Sequence, residues 1–208
     1  MINLVWITPN AMDVIAYCAR VSNPSNQNNS KTAPKLLKYL KKEGHFSPFE
    51  MASACMEITT TRDIARQILR HRSFSFQEFS QRYADPTQDL EFETREARLQ
   101  DKKNRQNSIE TTEPYIHERW EQEQLKVIHY AQKAYDWAIE YGIAKEQARA
   151  VLPEGLIQSR LYMTGTLRSW MHFVELRGGN GTQKEHQEIA LECKRILVEN
   201  GGDVWGDE

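Results

Sequence analysis

The stretch Arg70–Arg82, RHRSFSFQEFSQR, places three arginines and a histidine among three phenylalanines and three serines. The interleaved phenylalanines predict that the segment packs partly into the core. Guanidinium groups that are withdrawn from water require counter-charges, and Glu78 is the only carboxylate in the stretch. We therefore expect an anionic ligand to supply the missing negative charge. The alternative is a solvated face held together by ion pairs.

The residues before this stretch continue into it as a predicted helix, RDIARQILRHR, over residues 62–72. Helical spacing would bring Gln67, Arg70 and His71 to one polar face, at i, i+3 and i+4.

The second half of the stretch, SFQEFSQRY at residues 75–83, alternates as an extended segment does. This alternation predicts Glu78, Ser80 and Arg82 along one edge. Such an edge suits a nucleotide, because arginine binds phosphate bidentately, serine adds a hydrogen bond and glutamate accepts from a ribose hydroxyl.

The composition of the 208 residues is that of an ordinary globular protein, with 39% hydrophobic and 27% charged residues. We expect one domain over residues 1–208. The formal net charge of −2 argues against general attraction to nucleic acid. No apolar run is long enough to span a membrane and no signal peptide is evident, so a cytoplasmic location is expected. The three cysteines form no CxxC pattern, so neither a disulfide framework nor a metal site is expected.

Periodicity along the chain indicates helices and strands with helix predominating, and the strands need not form a parallel sheet. We expect an α+β fold in a single domain, helix-rich, with a central and mainly antiparallel sheet. No GxGxxG follows a predicted strand, so no Rossmann fold is expected. Residues 84–113 form a polar, charged excursion with little to bury. The longest predicted helix, from Pro114 to Tyr141, is expected to form the backbone of the core.

RHRSFSFQEFSQRY resembles the signature of the flavin-dependent thymidylate synthases: arginine-histidine-arginine, two variable positions, serine, four variable positions, serine, one variable position, arginine. Further elements are similar in order and spacing, namely CARVS at 18–22, GHFSPFE at 44–50, EQARAVLP at 146–153 and LRSWMHFVELR at 167–177. The chain departs from the family pattern at Met51, Gln81, Thr166 and His172.

The resemblance implies the reductive methylation of dUMP to dTMP. Methylenetetrahydrofolate would donate the one-carbon unit, and NADPH would supply reducing equivalents through bound FAD. Arg177 holds the position of a catalytic residue that activates uracil electrostatically, without a cysteine nucleophile. The resemblance also implies a homotetramer whose active sites are shared between subunits.

The same resemblance implies two sets of binding residues. Those expected to bind the nucleotide are Gln67, Arg70, Glu78, Ser80, Gln81, Arg82, Arg149 and Arg177. Those expected to bind FAD are His45, Ser47, Arg70, His71, Arg72, Glu78, Thr166, Arg168 and His172.

Two other functions are compatible with parts of this pattern. A nucleic-acid-binding module could use the basic segment with Phe74, Phe76 and Phe79 as stacking platforms, although the net acidity counts against it. A member of the same family could also have lost catalysis and store flavin or folate.

Overall fold

An antiparallel sheet of four strands forms the centre of the fold in the computed structural model, which describes residues 1–206. The strands are β1 (Ile2–Ile7), β2 (Ser53–Thr61), β3 (Ser75–Glu78), β4 (Arg98–Gln100), β5 (Ser108–Glu110) and β6 (Gln158–Thr166). The helices are α1 (Ala11–Ala19), α2 (Ala33–Lys42), α3 (Arg62–Ile68), α4 (Pro86–Asp89), α5 (Pro114–Glu140), α6 (Lys145–Ala148), α7 (Leu167–Arg177) and α8 (Lys184–Glu199). Short 3₁₀ turns cover Pro24–Asn26, Ser30–Thr32, Ser47–Met51 and Arg149–Val151.

The central sheet has the order β1-β2-β6-β3, with every neighbouring pair antiparallel. β2 and β6 pair over their full lengths, from Ser53 opposite Thr166 to Thr61 opposite Gln158. The α+β class, the single domain and the antiparallel sheet are therefore confirmed, and the described residues contain no Rossmann arrangement. β6 was not predicted, although Leu161 and Met163 alternate with exposed Arg160 and Tyr162 as a half-buried strand requires.

The core lies on one face of this sheet. Met56 and Ile58 of β2 and Leu161 and Met163 of β6 are fully buried there, against helices that include α7 and α8. Both central strands lead directly into helices, β2 into α3 and β6 into α7. The two helices that carry most of the candidate site therefore start at opposite ends of one strand pair.

The prediction that the longest helix is the backbone of the core is wrong. The bounds of α5 agree with the predicted ones to within a residue, but no α5 residue belongs to the main core cluster. Ala131, Tyr135 and Ala138 are buried in or beside a smaller cluster with Leu152 and Ile157. Helical periodicity indicates a helix correctly but does not say which apolar cluster the helix contacts.

The predicted regular structure within the motif is too long. α3 ends at Ile68, and the amides of Arg70 and His71 close tight turns onto the carbonyls of Gln67 and Ile68. Gln67, Arg70 and His71 therefore do not share one helical face. β3 ends at Glu78, and the chain turns at Ser80, whose carbonyl accepts from two later amides. The predicted edge of glutamate, serine and arginine does not form.

The polar excursion is more structured than expected. It contains α4 and a hairpin of β4 and β5, and it buries Pro86, Leu90 and Ala97. Its charged residues also pair with the main fold, as Arg95 does with Asp63 of α3 at 2.5 Å. The expectation of little burial is confirmed, because only Pro86, Leu90 and Ala97 of the segment are buried. Partly buried ion pairs attach it to the main fold.

No helix among residues 1–206 is long and apolar enough to cross a membrane. All three cysteines are free, with Cys55 and Cys193 buried. No group of three or more His, Cys, Asp or Glu side chains in the described part of the chain could hold a metal ion.

Candidate active site

The motif is attached to the core by its first phenylalanine. Phe74 is 8% exposed and packs edge-on against Trp170 and Phe173 of α7, with ring centroids 4.8 and 6.0 Å away. Its ring lies over Gly165, where a Cβ atom would come within 2.5 Å of the ring carbon Cδ1. The buried Phe74 is not available as a platform for nucleic-acid bases, so the stacking that the rival function needs loses its central residue.

Arg177 at the end of α7 contacts the motif through a buried histidine. Its Nε donates to Nε2 of His71 at 3.0 Å, and the His71 side chain is 8% exposed in total. No carboxylate among residues 1–206 forms an ion pair with Arg177. Burial, followed by the charges of Arg177, His172 and Arg70, lowers the pKa of His71 to about 4.

A second buried histidine, His186 in the first turn of α8, lies beside this contact. Its Nδ1 is 3.3 Å from Oε1 of Gln67, and Nε2 of Gln67 donates to Oε1 of Gln183 at 2.8 Å. The His186 ring is fully buried and its Nε2 has no partner within the described residues. Burial, then the charges of Arg177 and His71, lowers its pKa to about 4.

Glu78 is the counter-charge for α3 rather than a free carboxylate. Oε2 pairs with Arg66 at 3.2 Å and Oε1 lies 3.8 Å from Arg62, while the Ser159 hydroxyl donates to Oε1 at 2.9 Å. Two of the basic groups near the motif are thus already compensated, and a ligand hydroxyl could bind Glu78 only through lone pairs that remain.

Two predicted nucleotide residues, Gln81 and Arg149, line one cavity of about 380 Å³. Arg62, Arg66, Leu152 and Glu154 also line it. Gln81 is 4% exposed, and its Nε2 is a buried donor without a partner in residues 1–206. An acceptor on a ligand would satisfy that donor.

Three predicted flavin residues, Thr166, Arg168 and His172, line a second cavity of about 530 Å³ at the start of α7. Ser73 of the motif, Phe46 and Met171 complete it together with Glu50, Ser169 and Glu175. Arg168 pairs with Glu50, and the Thr166 hydroxyl accepts from the amide of Ser169, which caps the helix. The cavity combines apolar walls with hydroxyl, imidazole and guanidinium groups.

The remaining predicted residues lie outside these contacts. His45 and Ser47 are exposed beside Phe46, at the 3₁₀ turn that follows α2. Arg70 and Arg72 are exposed and form no ion pair with any described residue. Ser80 lies in the turn after β3, and Arg82 pairs with Glu146 at 3.3 Å.

The two cavities lie at opposite ends of β6. Thr166, its last residue, lines the larger one. Arg62 lines the smaller one, and its backbone N–H donates to the carbonyl of Ile157, just before the strand begins. A strand of this length spans roughly 25 Å at about 3.3 Å per residue. One chain therefore does not bring all the predicted nucleotide and flavin residues into a single pocket.

Residues of this region that were not predicted include Arg62, Arg66, Ser73 and His186. Arg66 could have been found, because it lies four residues before Arg70 on the same predicted helix. No local pattern indicates His186, because its partners are Gln67 and His71, more than 100 residues earlier.

A cysteine nucleophile finds little support in the structure. Burial raises the pKa of the Cys193 thiol, which contacts the core on all sides. Cys55 is also buried, and Cys18 lies in α1, away from both cavities.

Comparisons with known proteins agree with these motifs. Residues 3–200 match the family profile described as thymidylate synthase complementing protein. The chain is 50% identical over 188 residues to the probable flavin-dependent thymidylate synthase of Paramecium bursaria Chlorella virus 1, an alignment that covers 90% of this chain and 86% of that protein. It is also 50% identical over 187 residues to the flavin-dependent thymidylate synthase of Synechocystis, covering 90% and 84%.

A solved structure has the same fold. The UMP/dUMP methylase PolB from Streptomyces cacaoi, crystallised with 5-Br dUMP, superposes with a TM-score of 0.80 at 26% identity, covering 96% of this chain and 90% of that one. The match over nearly the whole length and the 50% identity to two relatives show that the chain belongs to the flavin-dependent thymidylate synthase family.

Proposed function

We propose that this protein methylates dUMP to dTMP, with methylenetetrahydrofolate as the one-carbon donor and NADPH as the reductant through bound FAD. The observation that carries the proposal is the Arg177 guanidinium, which a buried histidine holds and no carboxylate neutralises in residues 1–206. The solved relative with 5-Br dUMP supports a uracil nucleotide as the substrate.

Arg177 would activate the uracil ring electrostatically. Carbon five of uracil is a weak nucleophile, and a guanidinium beside the ring carbonyl and nitrogen stabilises the anionic form that carries more electron density at carbon five. Arginine cannot itself remove a proton, because its guanidinium stays protonated in proteins. The buried cysteines give no nucleophile that would replace this role.

The nucleotide would bind at the smaller cavity. Its phosphate would meet Arg149, and the orphan amide of Gln81 would donate to one of its oxygens. The proposed nucleotide set is the one that the family resemblance implies, Gln67, Arg70, Glu78, Ser80, Gln81, Arg82, Arg149 and Arg177.

The second cavity suits FAD by the chemistry of its donors. Phe46 and Met171 offer an apolar wall, and Ser73 and His172 can hydrogen-bond ring or ribose atoms. Arg70 and Arg72 are free to meet phosphate charge, because neither is paired with a described residue. When bound, FAD would supply the hydride that completes the methyl group. The proposed flavin set is His45, Ser47, Arg70, His71, Arg72, Glu78, Thr166, Arg168 and His172.

We further propose a homotetramer with shared active sites. The roughly 25 Å between the two cavities of one chain would be bridged if the flavin residues of one subunit faced the nucleotide residues of another. An apolar stripe along α5 and the residue that follows it supports such packing, because Trp120, Val127, Tyr130, Trp137 and Tyr141 are all at least 45% exposed.

The test is a reaction with dUMP, methylenetetrahydrofolate and NADPH under anaerobic conditions, with dTMP measured by chromatography. Purified protein should be yellow, with flavin absorbance near roughly 450 nm. Arg177→Ala should lose dTMP formation by about 100-fold or more and retain its flavin. Arg195→Ala, which removes an exposed arginine of α8, is the matched control and should behave as wild type.

Two results would contradict the proposal. Normal dTMP formation by Arg177→Ala would remove that residue from catalysis. Yellow wild-type protein that forms no dTMP would instead favour a family member that stores flavin or folate.

A further inference from the structure

The acceptor that holds Arg177 carries no charge. Arginine nitrogens can only donate, so His71 Nε2, 3.0 Å from Arg177 Nε, must be the unprotonated acceptor. The neutral ring therefore carries its proton on Nδ1. This contact fixes the tautomer of His71 and the position of the Nε edge of the Arg177 guanidinium.

A carboxylate at the position of His71 would leave Arg177 much less able to bind a ligand. It would pair with the guanidinium and neutralise its charge. The imidazole takes only the Nε–H. The two terminal nitrogens of Arg177 form no hydrogen bond with residues 1–206 and are not buried. The guanidinium therefore keeps its full positive charge, and these two nitrogens remain open to a ligand.

His186 supports the neutral state of His71. The two rings lie edge-on with centroids 6.2 Å apart, and Phe173 packs against both, at 4.9 and 5.7 Å. Because Gln67 donates to Gln183, its Oε1 faces His186 and accepts from Nδ1. His186 is thus also held as a neutral ring with its proton on Nδ1.

Every charged or titratable group that acts on His71 disfavours a proton there. These groups are Arg177 and His172 on α7 and Arg70 in the motif, with His186 on α8 packed against the ring. A second proton on either buried imidazole would place like charges beside Arg177 without a counter-charge.

We propose that His71 and His186 are positioning residues, a buried neutral pair that holds Arg177 by its Nε so that only its terminal nitrogens face the pyrimidine. The inference rests on the proposed function, in which Arg177 contacts the uracil ring. It assigns the His71 side chain a role that acts through Arg177 and is separate from any contact with flavin.

A double-mutant cycle on the flavin-loaded protein tests this role, with dUMP as the probe and its dissociation constant as the measurement. His71→Leu removes the acceptor and should weaken dUMP binding about tenfold or more. His71→Leu/Arg177→Ala should bind dUMP no more weakly than Arg177→Ala alone, because His71 affects dUMP binding only through Arg177. His71→Gln supplies a neutral acceptor and should recover most of the loss. If the losses of dUMP affinity in His71→Leu and Arg177→Ala multiply in the double variant, the proposal is overturned.

His186 is tested in parallel with two variants. His186→Leu should lower kcat for dTMP formation while the flavin content stays at the wild-type level, and His186→Gln, which can still donate to Gln67, should recover activity. Equal kcat for both variants and wild type would remove His186 from the assignment.

The tautomer is tested without any variant. In ¹⁵N spectra of the wild-type holoprotein at neutral pH, His71 should be protonated at Nδ1 and unprotonated at Nε2, and a protonated Nε2 would overturn the inference. If wild-type protein binds dUMP but forms no dTMP, the proposed function is contradicted and the inference about the histidines is not. The dissociation constants of the double-mutant cycle and the spectra would still report on both histidines.

Discussion

At the residue scale, Gly165 controls how the motif meets the core. Any side chain there would collide with the Phe74 ring, which anchors the segment that carries His71 and Arg72. The glycine is needed for a close approach between a strand backbone and an aromatic ring, not for an unusual backbone angle.

Gly165→Ala should lower the free energy of unfolding by about 1–3 kcal/mol, because the aromatic cluster around Phe74 must move to accept the new methyl group. Urea denaturation measures the change. Gly155→Ala is the matched control, since its Cβ would have no neighbour within 4 Å. Equal stability of the two variants would show that the ring can move aside without cost.

The buried histidines give a second prediction at this scale, on pH. The pKa of His71 and of His186 falls from an ordinary value near 6.5 to about 4 in the fold. Between these values the unfolded chain binds protons that the native chain does not, so stability must fall as pH is lowered through this window. The contribution of the two neutral histidines to the free energy of unfolding is fully present above about pH 6.5 and is lost as the pH approaches 4.

Each histidine should contribute on the order of 3 kcal/mol to this loss, at 1.36 kcal/mol for each unit of pKa. The measurement is the free energy of unfolding in urea between pH 7.5 and 4.5. His186→Leu should reduce the slope with pH, whereas His129→Gln, which changes an exposed histidine on α5, should leave it unchanged. A slope that His186→Leu does not alter would contradict the burial argument.

At the element scale, the hairpin of β4 and β5 is attached to the rest of the fold chiefly by charge. Arg98 pairs with Glu185 in the first turn of α8, and their side chains are only 11% and 22% exposed. Lys184, which precedes Glu185, pairs with Glu96 at 2.7 Å and with Glu110 at 3.0 Å. These contacts hold the hairpin beside the α8 turn that carries His186.

Arg98→Met should destabilise the protein by about 3 kcal/mol, because it leaves the Glu185 carboxylate buried without its partner. Chemical denaturation measures the effect. Arg195→Met, which breaks exposed pairs within α8, should cost less than about 1 kcal/mol. Arg98→Met/Glu185→Leu should have a higher free energy of unfolding than Arg98→Met alone, because the double variant leaves no unpaired carboxylate. A lower value for the double variant would contradict the argument from a buried ion pair.

At the scale of the whole molecule, the separation of the two cavities predicts complementation between subunits. Arg149→Ala should damage the nucleotide side and Arg168→Ala the flavin side, so each variant alone should be nearly inactive. If active sites join different subunits, mixed oligomers contain some sites in which both residues are intact.

Co-expression of the two variants with different tags, followed by purification through both tags, gives the mixed oligomer. We expect it to recover a substantial fraction of wild-type dTMP formation, about a quarter if subunits combine at random. An oligomer of one variant carrying both tags is the control and should stay inactive. Mixed oligomers that remain inactive would contradict shared sites.

The sequence by itself determined the family and the order of the main helices and the first two strands, and it supplied the residue types of the proposed site. This was possible because helical and strand periodicity are local properties, and because the motif has fixed spacing over thirteen positions. The long helix could be bounded from Pro114 onwards for the same reason.

Only the tertiary structure decided which of those residues meet. Arg177 and His71 are 106 positions apart, and their contact depends on how α7 packs beside the end of α3. The structure also decided that Glu78 compensates Arg62 and Arg66, that β6 lies in the middle of the sheet, and that α5 stays outside the main core. Periodicity indicates which face of an element is apolar. Strand register and side-chain packing determine which other element that face contacts.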